Sequence, residues 1–117
     1  MPEQTSAIVI RSYAAQYSDP IEFAQGELIE LEREDPEYPG WWWCRASAGK
    51  EGWVHCSFLE RSGKTAKGLS AYSARELSVS GGERGRIVHW LGGWVCLRLK
   101  NGLQGWLPET HVRRDAE

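Results

Sequence analysis

Apolar and polar residues alternate along this chain in short stretches. Ile21 and Phe23 alternate with polar neighbours, as do Leu77 and Val79. That two-residue period is the mark of a half-buried strand. Leu28-Ile29-Glu30-Leu31 reads as the next strand, Trp41 to Ala46 as another and Trp53-Val54 as a short one. Gly26-Glu27, Gly82-Glu83 and Ala48 to Gly52 read as turns. Asp35 to Gly40 is a loop, because Pro36 and Pro39 cannot sit in a central strand. Lys100-Asn101-Gly102 marks a hairpin, since Asn-Gly suits a turn that needs positive φ. No long segment follows a helical period. A run of about five short strands in each half predicts small β-barrels.

The two halves share one plan. Gly40-Trp41-Trp42-Trp43-Cys44-Arg45 aligns with Gly93-Trp94-Val95-Cys96-Leu97-Arg98, and the alignment continues without a gap at an offset of 53 residues. Gly52-Trp53-Val54-His55 falls on Gly105-Trp106-Leu107-Pro108, and Phe58-Leu59 on His111-Val112. Upstream, Pro20 to Glu27 falls on Glu76 to Glu83 at an offset of 56. Strand faces predict a first core of Val9, Ile21, Phe23, Ile29, Leu31, Cys44, Val54 and Leu59. The second is Leu77, Val79, Ile87, Leu97, Leu107 and Val112, with Gly85 where the first half has Ile29. Only Arg61-Ser62-Gly63-Lys64 separates the halves. Modules of ~55 residues are marginal alone, so the halves are expected to pack on each other. Trp42, Trp43, Trp53, Trp90 and Trp106 exceed what two small interiors hold, and either join the halves or lie over their own sheets.

The layout resembles the SH3 family over residues 7–60 and 65–113. Val9-Ile10-Arg11-Ser12-Tyr13 takes the place of the family's opening Ala-Leu-Tyr-Asp-Tyr. Glu76-Leu77-Ser78-Val79 with Gly82-Glu83 matches its Glu-Leu-Ser-Phe and Gly-Asp motifs. Gly40-Trp41-Trp42 and Gly93-Trp94-Val95 match Gly-Trp-Trp, and Gly52 to Leu59 and Gly105 to Val112 match Gly-x-x-Pro-x-x-Tyr-Val. The whole is similar to tandem variant SH3 proteins of bacteria. The resemblance implies two all-β, five-stranded SH3-like barrels and a non-catalytic module that binds a protein or peptide on a shelf of aromatics.

Such a shelf suits a proline-rich ligand, which is already extended and loses little entropy on binding. Carried over by resemblance, the first shelf is Tyr13, Trp41, Phe58, His55 in the proline position, and Asp19 near the acidic position. The second is Glu76, Trp94, Pro108 and His111, the last in place of a tyrosine. Arg11 replaces one early tyrosine, and Tyr72 partly substitutes for those missing from the second half.

Charge is uneven. Residues 1–60 hold four Lys/Arg and eleven Asp/Glu, while residues 61–117 hold ten and five. Acids cluster at Glu30, Glu32, Glu34, Asp35 and Glu37, which favours a ligand carrying Arg or Lys. Arg84, Arg86, Arg98, Lys100, Arg113 and Arg114 make a candidate basic face on the second half, and nucleic-acid binding through it is one alternative function. The acidic first half argues against that alternative. Glycan or cell-wall binding through exposed tryptophans is another. No Ser/His/Asp arrangement, phosphate-cradling loop or paired carboxylates appear, so neither an enzyme nor a cofactor is expected. Cys44, Cys56 and Cys96 suit free thiols in a reducing compartment, and no metal-ligand spacing links them to His55, His89 or His111. No apolar run reaches the ~20 residues of a membrane span. Met1 to Ser6 carries no basic and apolar leader, which makes the cytoplasm the expected compartment.

Overall fold

The structure is a computed structural model that describes residues 5–16 and 19–115. In chain order the strands are β1 (Ser6–Val9), β2 (Glu22–Phe23), β3 (Leu28–Glu34), β4 (Trp41–Ala46), β5 (Glu51–His55), β6 (Leu59–Ser62), β7 (Thr65–Gly68), β8 (Tyr72–Ser73), β9 (Arg84–Leu91), β10 (Trp94–Leu99), β11 (Gln104–Pro108) and β12 (Val112–Arg114). Two single-turn 3₁₀ segments, Cys56–Phe58 and Glu109–His111, join β5 to β6 and β11 to β12. The fold is all-β, and two five-stranded sheets follow the same order: β11-β10-β9-β1-β12 and β5-β4-β3-β7-β6.

Those orders mix the sequence repeats. Strand β1, from the first repeat, pairs with β9 and β12 of the second. Strand β7, which opens the second repeat, pairs with β3 and β6 of the first. Contacts accordingly divide the chain differently from the contiguous spans 7–60 and 65–113. One unit is Met1–Ser18 with Arg75–Glu117, and the other is Asp19–Ala74. We call them the split and the inserted unit.

The short spacer gives the physical reason. Ser62 pairs with Thr65, so only Gly63-Lys64 separates the last strand of one repeat from the first strand of the next. Gly63 has φ of +65°, which suits the first central position of a two-residue hairpin. A hairpin that tight keeps β7 beside β6, where it completes the first sheet. The matching place beside β12 is then filled by β1. The inserted unit is therefore one continuous segment whose opening strand has moved to its end.

Each unit buries its own core. In the split unit Ala7, Val9, Leu77, Val79, Val95, Leu97, Leu99, Leu107 and Val112 form one cluster, with Tyr13, Ile87 and Trp90 packed against it. Val9, expected in the first core, thus belongs with residues of the second repeat. In the inserted unit Ile21, Phe23, Ile29, Cys44, Ala46, Val54, Leu59 and Ala66 are buried, while Leu31 is only half-buried. Both long central strands carry a register shift at equivalent places, between Leu31 and Arg33 and opposite Cys96/Leu97, which adds local twist. Gly85 is no missing core side chain, since a Cβ there would lie 2.9 Å from the Arg98 carbonyl oxygen.

The additional tryptophans lie over their own sheets. Trp43 and Trp53 meet edge to face at 5.1 Å, with the Arg33 guanidinium over both. Arg61 covers Trp42 and Arg114 covers Trp90. Trp106 is buried and stacks on His89.

Candidate ligand-binding shelves

In both units a two-armed loop crosses the end of the barrel. In the split unit the arms come from opposite ends of the chain. Tyr13 and Val79 exchange backbone hydrogen bonds of 3.0 and 2.9 Å, and the Ala15 N–H donates to Ser78 Oγ at 2.9 Å. The second arm is tied to β11, because Trp106 N–H donates to the Arg75 carbonyl and Leu77 N–H to the Trp106 carbonyl. This crossing is why the repeated Gly-Trp needs its glycine. A Cβ on Gly105 would lie 2.9 Å from the Arg75 carbonyl oxygen, and one on Gly52 would lie 2.9 Å from Ile21 Cγ2.

The closed loop sets Tyr13 among residues of the second repeat. Its hydroxyl donates to Glu76 Oε1 at 2.9 Å, and the same oxygen accepts the Gln16 N–H at 2.7 Å. The Tyr13 ring meets His111 edge to face at 5.3 Å. Trp94 stands opposite Pro108 across the β10–β11 register. The Glu109 N–H donates to the Gly93 carbonyl at 2.9 Å, which holds the turn carrying His111 beside Trp94. Tyr13, Glu76, Trp94, Pro108 and His111 are all half-buried, so each presents part of its surface to solvent. Burial, with the nearby positive charge of Arg11, lowers the His111 pKa and favours the neutral ring.

The inserted unit assembles the corresponding groups and encloses them. Tyr72 arrives on β8 and stacks on Phe23 at 5.3 Å, and its ring centre lies 4.8 Å from that of Phe58. Its hydroxyl donates to the Trp53 carbonyl at 2.8 Å. Trp41 meets His55 edge to face at 5.2 Å. Trp41 is only 4% exposed, and Phe58 and Tyr72 are 8% exposed. Burial lowers the His55 pKa, and its Nδ1 accepts the Ser57 N–H. Asp19, exposed at the start of this unit, forms an ion pair with Lys50 at 3.1 Å.

The residues expected on a first shelf are therefore separated. Tyr13 falls in the split unit with Glu76, Trp94, Pro108 and His111, whereas Asp19, Trp41, His55 and Phe58 fall in the inserted unit with Tyr72. Trp41 and Phe58 are enclosed rather than open to a ligand. Sequence reasoning did not assign a role to the backbone N–H of Gln16, which lies in no motif, or to the hydroxyl of Ser78, which the Glu76 to Val79 motif contains without indicating its partner. The three thiols are free. Burial pushes Cys44 up to about 12 and Cys96 up to about 11, so both stay protonated, while Cys56 is half-buried. Among the described residues no group of three or more His, Cys, Asp or Glu is placed to hold a metal ion, and no helix is long and apolar enough to cross a membrane.

Comparison with known proteins bears on this geometry. Residues 6–61 match the family model of the variant SH3 domain. Human SH3 and PX domain-containing protein 2B is 25% identical over 126 aligned residues, which take in 93% of this chain and 13% of that protein. Mouse SH3 and PX domain-containing protein 2A is 36% identical over 55 residues, or 47% of this chain and 5% of that protein. The zebrafish form is 37% identical over 54 residues. The chain thus spans about one-eighth of the length of the longer-matching relatives, and these relatives are animal rather than bacterial proteins. No solved structure gives a significant match. The SH3 match covers just under half of the chain. It follows sequence order, so it joins β1 of the split unit to β2 through β6 of the inserted unit.

Proposed function

We propose that this chain is a non-catalytic protein-interaction module and that its peptide shelf is the one in the split unit. The observation that supports this is the joining of Tyr13 to Glu76 and His111, at 2.9 and 5.3 Å, beside a Trp94–Pro108 pair that stays accessible. Flat side chains in that order suit the rings of an extended, proline-rich segment. The Glu76 carboxylate favours a ligand Arg or Lys next to those rings, and Trp94 adds a cation–π contact of ~0.5–2 kcal/mol. The enclosed aromatics of the inserted unit serve its core.

The test is binding of proline-rich peptides with a flanking arginine, followed by titration calorimetry on the full chain. Trp94→Ala should weaken binding by about tenfold or more, as loss of an aromatic anchor does. Glu76→Gln should weaken arginine-bearing peptides selectively. Unchanged affinity in both variants would remove the shelf from consideration.

A further inference from the structure

A second surface of the split unit carries charge that its stability does not explain. The β9–β10 register sets Arg86 directly opposite Arg98, and Arg98 stands opposite Gln104 of β11. On the other side of β9, Arg86 faces Ser6, and two residues along Ile8 lies between Arg84 and Arg113. Opposed residues share a face of a sheet, as do residues two apart. Arg84, Arg86, Arg98 and Arg113 are therefore on one face, and it is the outer one, because the alternate residues Ala7, Val9, Leu97 and Val112 are buried. Lys100, two residues beyond Arg98, lines a shallow cleft with Arg84. All five cations are exposed. Arg84 pairs with Asp115 at 2.7 Å, and Arg98 Nε donates to Gln104 at 3.0 Å. Arg86, Lys100 and Arg113 have no carboxylate partner among the described residues. Glu83, in the same cleft, accepts the Ser80 N–H at 2.7 Å.

Like charges directly opposed in a sheet destabilise it. The inserted unit shows how the same scaffold balances this face. There Glu30 stands opposite Arg45, and Arg45 opposite Glu51. One step along, Lys67 lies between Leu28 and Glu60. By strand order Glu30, Glu51 and Glu60 hold the places of Arg86, Gln104 and Arg113. Arg45, in the place of Arg98, is held by Glu30, Glu32 and Glu51 at 3.5, 3.1 and 3.7 Å. Every acid position of the ladder has become neutral or cationic in the split unit.

We propose that this face binds the phosphate backbone of a nucleic acid without sequence preference. Four of its five cations are arginines, whose guanidinium forks present paired N–H groups to phosphate oxygens. Half-buried Ile8 is the one aliphatic side chain in these rows. In the adjoining row Cys96 stands opposite Trp106 and His89, and Trp106 is only 5% exposed and already stacked on His89, so the face offers no open tryptophan as an anchor for a protein partner and little apolar surface to bury in a membrane interface. Contacts to the backbone supply affinity and carry no sequence information.

The test is fluorescence anisotropy of a labelled random-sequence DNA duplex with the full chain over a range of salt. With three to five phosphates neutralised, log affinity should fall against log salt with a slope of about −2.7 to −4.5. Arg86→Glu with Arg113→Glu installs the acids found at Glu30 and Glu60, and should weaken binding by about tenfold or more. Lys64→Glu with Lys67→Glu makes the same change in net charge on the inserted unit and should leave affinity within about twofold. Arg86→Gln with Arg113→Gln guards against misfolding of the reversed pair and should reduce the slope by about two. The proposal is overturned by a flat salt dependence or by equal losses in both charge-reversed pairs. It is equally overturned if the chain binds phosphatidylserine vesicles but not the duplex.

Discussion

The split and inserted units share a strand order, the position of a register shift and a crossing glycine, yet they use their aromatics in opposite ways. In the inserted unit Phe23, Trp41, Phe58 and Tyr72 are all less than 9% exposed. In the split unit the corresponding places hold Val79, Trp94, His111 and Tyr13. The smaller Val79 and the polar His111 leave Tyr13 and Trp94 half-buried. Charge diverges in parallel. Asp19–Ala74 has ten acids and six bases, whereas the segments of the split unit have six acids and eight bases. One backbone plan therefore supports a closed, acidic barrel and an open, basic one.

The comparison breaks most sharply at the level of the units themselves. Residues 19–74 contain every strand of one sheet, so that fragment should fold alone and melt cooperatively by circular dichroism. Residues 6–64 follow the sequence repeat but lack β7, the strand between β3 and β6, and should show no cooperative transition. A barrel this small has no stability to spare for a missing central strand. The reverse result, with 6–64 folded and 19–74 not, would restore the contiguous arrangement and dissolve the shelf that joins Tyr13 to Trp94.

One step down in size, the two equivalent tryptophans should separate stability from binding. Trp41→Ala removes a side chain that is 4% exposed and should cost about 3–5 kcal/mol in urea unfolding. Trp94→Ala removes a half-buried one and should cost about 1 kcal/mol, with its main effect on peptide affinity. Equal destabilisation by both would mean that the open and closed shelves are not different in kind.

How far the sequence discloses this can be followed residue by residue. Alternation at Ile21/Phe23 and Leu77/Val79, the Asn101-Gly102 hairpin and the repeated Gly-Trp were enough for two small barrels, because period and turn chemistry are local. Which sheet receives β1 is not local. Ala7 and Ala66 hold equivalent inward-facing places, so alternation alone assigns neither strand to a sheet; the strands differ at Val9, whose place in the inserted sheet is held by Gly68, where a Cβ would lie 2.7 Å from Phe23. The deciding feature is the two-residue link Gly63-Lys64, which is legible only when the last and first strands of the fold are known to be neighbours. The candidate shelf residues were grouped by chain order, which placed Tyr13 with Trp41, whereas the structure sets Tyr13 beside Glu76 and His111. The enclosure of Trp41 was not legible at all, since spacing gives the side of a strand on which a residue lies and not what covers it. The cross-strand alignment of Arg86 with Arg98 likewise depends on a register that a one-residue shift would have undone.

The smallest expected effect is on pH dependence, and it separates the units by their histidines. Burial lowers the pKa of His55 in the inserted unit and of His89 and His111 in the split unit from the ordinary 6.5, with Arg11 adding to the effect at His111. The unfolded chain therefore takes up these protons more readily than the folded chain. The stability is fully present above 6.5 and declines as pH falls through the folded values. Residues 19–74 contain His55 as their one histidine. Between about pH 8 and pH 5.5, above the range where carboxylates titrate, the urea midpoint of that fragment should fall modestly, and His55→Asn should flatten the fall. The full chain, with two further histidines, should fall more steeply over the same range. A midpoint that rises on acidification would mean that His55 acquires a partner for its charge instead of losing water, and the enclosed shelf around Trp41 would have to be redrawn as an open one.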